Sequence, residues 1–446
     1  MASKLRFPHP LILLVFCILI GAALSYFLTA GEYERREDTA TGRTVVVPGT
    51  YHAVPRSAVG PFEAIVSIPR GLIDAGSVVF LVFLVGGAFT VVDKTGTLKA
   101  GVDWLAARLQ RREAYAIPVC CIVFAIGGAL ENLQEEIIAM VPVLLILTRR
   151  LGYDALTAVA ISLGAAIVGS AFSPINPFQV QIAQELAQLP LLSGSAFRII
   201  SLVIALALWI WGTMRYAAKI RVLQQAEELK TSKLGVREAI ILFMVIATFA
   251  IFVYGILNWE WDFNHMSAAF FVMGAASGLI GRLGVTGTAE AYVEGFKSMA
   301  FAGLLIGFAR AIYVVLNDGK IVDTIVHGLF TPISHLPLAL SAVGMMFAHV
   351  AIHFPVPSVS GQAVLTIPIL VPLSDLLGLS RQVTVLAYQF GAGLCEMITP
   401  TNGALMAILA AAGVRFEHWL KFVIPLYLLL SALGIIALFI GIAIGL

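Results

Sequence analysis

Two short runs place a hydroxyl, a proline and an amide within four residues of one another: Ser173-Pro174-Ile175-Asn176-Pro177 and Thr399-Pro400-Thr401-Asn402-Gly403. Proline withdraws a helix hydrogen bond, and Asn, Ser and Thr supply oxygens beside the carbonyls so released. Such a break can ligate a desolvated cation or a polar solute. The plainer alternative is a kink whose Ser or Thr bonds only its own helix.

Two further polar clusters interrupt apolar sequence. The first is Glu131-Asn132-Leu133-Gln134-Glu135-Glu136, and the second is Ser358-Val359-Ser360-Gly361-Gln362, which follows Pro355 and Pro357. Carboxylates at membrane depth are costly unless paired, hydrated or protonated. If Glu131, Glu135 and Glu136 are buried, they favour a cation, a proton or a substrate amine over a bare dianion. The alternatives are a solvated turn at the cytoplasmic interface for the first cluster and an ordinary Pro-Ser turn for the second. Glu396, just before the second break, could meet an amine, carry a proton or balance an arginine. Asp74 and Arg310, in apolar spans of different halves, read as structural charges or gating contacts. His349 and His353 read as hydrogen-bonded structural residues.

The candidate solute ligands are therefore Asn132, Ser358, Ser360, Gly361, Gln362, Asn176, Thr401 and Asn402. The candidate ion ligands are Glu131, Glu135, Glu136, Ser173, Asn176, Thr399, Asn402 and Glu396. The coupling ion would be sodium or a proton, and no other cofactor or metal is expected. No residue is assigned a catalytic role.

Composition says what must position these groups. Of 446 residues, 59% are hydrophobic and 12% charged, and the mean hydropathy is +0.95. Soluble domains carry about 25% charge, so lipid must solvate most of this chain. A net charge of +2, with no basic cluster interleaved with aromatics, excludes a nucleic-acid partner. Cys17, Cys120, Cys121 and Cys395 lie in apolar runs and imply no disulfide framework. The sequence holds no HExxH zinc motif, no paired Gly-x-Gly-Asp element and no phosphate-binding loop, so an enzyme or ATP-driven pump is not expected.

The apolar run Phe7–Leu28 follows Lys4 and Arg6 and is too long for a signal peptide, which predicts a first spanning helix with a cytoplasmic N-terminus. Gly31–Arg70 reads as an extracytoplasmic loop with a strand-like piece at Arg43–Pro48. A crossing follows at 72–92, and Asp93 and Lys94 return to the cytoplasm. Residues 97–112 suit a helix on the membrane surface. Residues 115–148, bracketed by two arginine pairs, read as a re-entrant hairpin. Further crossings are predicted at 153–190 (interrupted), 196–216, 238–257, 266–281 and 299–316. A second hairpin is predicted at 338–373, a second interrupted span at 382–412 and a final helix at 421–446. The basic stretch 217–237 reads as a cytoplasmic linker between a first repeat, 1–216, and a second part, 238–446, that holds an extra helix and the second repeat.

The halves share an offset of 226 residues, which pairs Pro142 with Pro368, Gly152 with Gly378, Pro174 with Pro400 and Asn176 with Asn402. It also pairs Asn132 with Ser358 and Glu136 with Gln362, a gapless match of 45 residues from 132 to 176. The crossings put the copies in opposite orientations, which is a common plan of secondary transporters. The fold class expected is thus an all-α polytopic membrane protein of two inverted repeats, each with a re-entrant hairpin and a broken helix.

These residues resemble the C4-dicarboxylate anaerobic carrier-like proteins, with their basic-amino-acid antiporters, within the wider ion transporter superfamily. The resemblance runs over nearly the whole chain. It includes Phe7-Pro8-His9, the loop from Gly42 to Tyr51, Gly86-Gly87-Ala88-Phe89 and Asn132–Glu136. It is most specific in Ser358–Val364 and from Arg381-Gln382-Val383 through Thr399–Gly403. It implies a dimeric elevator-type carrier in the bacterial inner membrane. A transport domain of two hairpins and two broken helices would slide against a scaffold. Better-understood relatives bind sodium and solute carboxylate through Ser-Asn-Thr tips, where this chain has Glu131–Glu136. The function expected is ion-coupled symport or exchange of a small carboxylate-bearing solute, either an amino acid such as arginine or ornithine or a C4-dicarboxylate. The alternative is a passive channel built on the same inverted repeat.

Overall fold

A computed structural model of the chain describes residues 10–38, 43–98, 100–101, 115–220, 235–259 and 261–446. The surface helix expected at 97–112 lies mostly outside the described residues. Helix α1 (Pro10–Phe27) leads to four short strands: β1 (Gly31–Glu32), β2 (Arg35–Asp38), β3 (Arg43–Val46) and β4 (His52–Ala53). They pair antiparallel as β1–β4 and β2–β3, with Gly31 opposite Ala53 and Arg35 opposite Val46.

Helices α2 (Pro61–Asp74) and α3 (Gly76–Lys94) follow. The loop therefore ends at Gly60, ten residues before the expected Arg70, because Pro61 stands in the first helical turn, where its missing N–H costs nothing. The first hairpin is α4 (Ala116–Glu131) and α5 (Glu135–Arg150), parted at 132–134. The first broken helix is α6 (Ala155–Ala171), wound as π-helix from Ala160 to Gly164, and α7 (residues 177–186).

Next come α8 (Ser195–Ile220), α9 (Val236–Trp259), α10 (Phe263–Ile280) and α11 (Gly284–Asp318). The expected crossing at 299–316 is the second half of α11. Glu290, Glu294 and Lys297 obscured the first half without breaking the helix. After α12 (Val322–Phe330), the second hairpin is α13 (Leu338–His353) and α14 (Val359–Leu377). The second broken helix is α15 (Arg381–Cys395) and α16 (Gly403–Ala411), and α17 (Phe416–Ala443) ends the fold.

Six of the described helices, α3, α8, α10, α11, α14 and α17, are long and apolar enough to cross a membrane. Ile199, Ile200, Val203 and Trp211 on α8 and Phe243 and Ile246 on α9 stand exposed, as a lipid-solvated surface requires and a water-solvated one resists.

Two sets of helix contacts stand out, and α11 joins them by also packing on α16. Helix α11 lies against α1, α2 and α3, and α10 against α3. Elsewhere the first arm of each hairpin packs on the first half of the broken helix that follows it, α4 on α6 and α13 on α15. Gly128 and Gly169 make the first of these a backbone contact. A Cβ on Gly128 would come within 2.0 Å of Ala166 O, and one on Gly169 within 2.0 Å of Ala125 O. Gly391 meets Met346 O in the same way, at 2.3 Å.

The strand region is clasped to α12. Arg35 bonds both carboxylate oxygens of Asp323 at 2.9 Å, and Tyr33 N donates to Asp323 Oδ2 at 2.9 Å. Tyr51 stacks on His327 with centroids 4.1 Å apart. Burial, with Asp323 alongside, pushes the Tyr33 hydroxyl up to about 12.

Candidate solute site between the hairpin tips

At the first tip α4 ends in a left-handed residue, Asn132 (φ 55°, ψ 41°), a conformation that Asn tolerates better than most residues. Its Oδ1 accepts from Ser170 Oγ at 2.6 Å and Gln179 Nε2 at 3.2 Å. Two residues on, Gln134 reaches across the molecule. Its Nε2 donates to Glu396 Oε2 at 2.5 Å, and its Oε1 accepts from Asn402 Nδ2 at 3.3 Å. One amide thus joins the first tip to the second break. The backbone N–H of Gln134 also donates to Glu136 Oε2 at 3.2 Å.

The second tip is shaped by Pro355 and Pro357 and capped by Ser358, whose Oγ accepts from Gly361 N at 3.2 Å. Thr401 Oγ1 donates to Phe354 O at 2.8 Å, tying the second break to this tip. Behind it Gln362 is fully buried. Its Nε2 donates to Val356 O at 3.0 Å, and its amide lies 2.8 Å from His353 Nδ1 and 3.2 Å from His349 Nδ1.

Both tips and the second break open onto one cavity of about 620 Å³. Asn132, Gln134, Glu135 and Glu136 line it from the first tip, Ser358 and Ser360 from the second, and Glu396, Thr401 and Asn402 from the second break. The facing wall carries Asp74, Arg310, Tyr313, Trp261 and Asp262, and Phe178 also borders the space. Asp262, between α9 and α10, is held down at about 2 by the backbone N–H and ring of His265, with which it forms a capping box.

The other expected ligands lie elsewhere. Asn176 is fully buried, and its Oδ1 accepts from Phe178 N and Gln179 N, both at 2.9 Å, while Nδ2 donates to Gly128 O at 2.8 Å. Ser173 Oγ donates to Ala129 O at 2.8 Å and accepts from Ile175 N and Asn176 N. Thr399 Oγ1 donates to Cys395 O at 2.7 Å within its own turn. Gly361 and Gln362 stand behind the second tip rather than on the cavity wall. The side chain of Glu131 lies outside the described residues.

The residue list drawn from sequence omitted the aromatic wall of Phe178, Trp261 and Tyr313, and it omitted Arg198. That guanidinium is fully buried on α8 and donates to Gln389 Oε1 at 3.0 Å, Ser193 O at 2.9 Å and Gln382 Oε1 at 3.2 Å. Gln389 Nε2 in turn donates to Ser173 O at 2.8 Å, so the network ends on the first break. An arginine in an apolar run was the signal available. No group of three or more His, Cys, Asp or Glu side chains suited to a metal ion occurs among the described residues.

The family described as DcuC, C4-dicarboxylate anaerobic carrier, matches residues 7–443. A relative from Escherichia coli (strain K12), named "Putative basic amino acid antiporter YfcC", is 32% identical over 467 aligned positions, with 93% of this chain and 92% of the relative covered. An uncharacterized protein of Haemophilus influenzae is 30% identical, with 89% and 81% covered. Among solved structures, the YdaH transporter of Alcanivorax borkumensis is 15% identical with a TM-score of 0.46, covering 98% of this chain and 99% of that one. Neisseria gonorrhoeae MtrF, whose structure is described as illuminating a class of antimetabolite efflux pumps, is 16% identical with a TM-score of 0.44, covering 98% and 96%. Six membrane-length helices and a family match over nearly its whole length make this a multi-pass membrane transport protein, and the chain belongs to the C4-dicarboxylate anaerobic carrier family.

Proposed function

We propose that this chain is a secondary active transporter that exchanges or co-transports a small carboxylate-bearing solute held between its two hairpin tips. The observation that carries the reading is the bridge Glu396–Gln134–Asn402, which joins the first tip to the second break on the wall of the cavity. A solute seated there would touch both halves of the chain at once.

The wall also suggests which solute. Among the described residues five of its side chains are acidic (Asp74, Glu135, Glu136, Asp262 and Glu396) and one, Arg310, is basic. A dianion would meet repulsion from most sides, whereas an amino acid with a cationic side chain would find carboxylates and aromatic faces for its positive end. A basic amino acid is therefore favoured over a C4-dicarboxylate, in line with the name of the Escherichia coli relative. Sodium or a proton would couple at the same carboxylates and at the freed carbonyls of the second break.

The elevator reading rests on the repeat. Gly152 and Gly378 both adopt positive φ (79° and 69°), and Asp154 and Ser380, also 226 apart, both cap the broken helix that follows. The hairpins and broken helices would move as one body against α1, α2, α3, α10 and α11. The protein would be a dimer in the bacterial inner membrane with its N-terminus in the cytoplasm.

Purified protein in liposomes tests the function. Saturable uptake of labelled L-arginine, accelerated by unlabelled L-arginine or L-ornithine inside, is expected. Linear flux without trans-acceleration would replace the carrier by a channel. Uptake of succinate alone would keep the carrier and reverse the solute preference.

A further inference from the structure

The one basic wall residue of the cavity among the described residues stands on α11, away from both hairpins. Arg310 Nε meets Asp74 Oδ2 at the end of α2, and its guanidinium carbon lies 4.9 Å from the centre of the Tyr313 ring. Neither Nη group has a hydrogen-bond partner among the described residues. The pair is also accessible, with Arg310 and Asp74 side chains 42% and 48% exposed. Asp74, Arg310 and Tyr313 border a second cavity as well, of about 400 Å³, whose other polar residues include Arg70, Asn317 and Asp318. The ion pair is thus the partition between two polar spaces.

A solute carboxylate entering the larger space needs a cation, and among the described residues the acidic wall offers a single one. Guanidinium is suited to that task because its fork takes a carboxylate through two parallel N–H bonds. Asp74 occupies one position of the fork, and Tyr313 supports its face. Replacing the Asp74 carboxylate by a solute carboxylate exchanges like for like, so the guanidinium never has to be stripped bare.

We propose that Arg310 is the carboxylate receptor of the solute cavity, with Asp74 holding its place until the solute arrives. This rests on the transporter reading above and sharpens it. The solute's carboxylate would lie toward α11 and its cationic end toward Glu135, Glu136 and Glu396, so a bound solute bridges the two sets of helices.

The test is binding to full-length purified protein, using L-arginine, agmatine (the same molecule without its carboxylate) and succinate. Wild-type protein should bind L-arginine at least tenfold more tightly than agmatine. Arg310→Gln should abolish that ratio by weakening L-arginine while leaving agmatine unchanged, and Arg310→Lys should restore part of it. Asp74→Asn, which removes the competitor, should tighten L-arginine severalfold. It also serves as the deciding variant should Arg310→Gln not fold. A ratio unchanged in Arg310→Gln, or L-arginine affinity unchanged or weaker in Asp74→Asn, overturns the receptor while leaving the carrier standing. If wild type binds succinate instead, its loss in Arg310→Gln supports the receptor and retires only the preference for a cationic solute. Wild type that binds none of the three overturns the cavity as a solute site and the receptor with it.

Discussion

The two helix breaks share a sequence pattern but not an environment. At the first, Ser173 and Asn176 spend every side-chain polar atom on backbone: Asn176 caps α7, and the two side chains fasten the break to Ala129 O and Gly128 O at the end of α4. At the second, Asn402 caps α16 through Leu405 N at 3.0 Å, and its Nδ2 makes a longer bond to Gln134 on the cavity wall. The offset that relates the halves sets Ser170 opposite Glu396. Ser170 closes a neutral network with Asn132 and Gln179, whereas Glu396 faces the cavity. The same pattern that anchors one half therefore leaves side chains on the cavity wall in the other.

That contrast can be broken experimentally, and the largest effect should come from the closed side. Asn176→Ala removes two capping bonds and the Nδ2 bond to Gly128 O, which keeps Asn132 N as its one remaining partner among the described residues. It should cost about 3 kcal/mol of stability, read from denaturant unfolding in detergent, while the folded fraction still responds to solute. Loss of the solute response at unchanged stability would reverse the assignment of the two breaks. Asn402→Ala should do the opposite. Its stability cost is that of one cap, about 1 kcal/mol, but the solute-induced rise in Tm should shrink in keeping with a loss of affinity of about tenfold or more.

Glu396→Gln sharpens the same contrast more finely. The isosteric amide still offers Gln134 an acceptor, so the fold should be unaffected. Removing one wall carboxylate should weaken a cationic solute severalfold, and equal affinity in the variant would remove Glu396 from the site. The smallest change is Thr401→Val, which deletes the bond to Phe354 O between the second break and the second tip. About 1 kcal/mol of stability and less than a threefold change in uptake rate are expected. A larger loss of uptake would make that strap part of the transport step.

How much of this was legible beforehand follows from the range of each interaction. The breaks, the tips and the hairpin arms were readable because proline, glycine and short polar runs act on the backbone within a few residues. Helix α2 was lost in the expected loop because Glu63, Pro69 and Arg70 look like loop residues, although Pro61 at its start carried the opposite signal. The separate fates of Asn176 and Asn402 were not readable. Both sit three residues after a hydroxyl, and only the packing of α4 on α6 decides that the first turns inward. The far wall of the cavity, Trp261, Arg310 and Tyr313, comes from segments more than a hundred residues from the first tip, and no local pattern unites them.

Helix α11 carries two ion pairs, Lys94–Glu294 ten residues in from its first residue and Arg70–Asp318 at its last. Twenty-four residues of helix separate Glu294 from Asp318, a rise of about 36 Å, slightly more than the hydrocarbon thickness of about 30 Å in a typical bilayer. The protein so carries a built-in ruler, graduated in charge at its two marks. A thinner membrane would force this rod to lean and a thicker one would drag a charged mark into oil, so turnover should peak at one acyl-chain length.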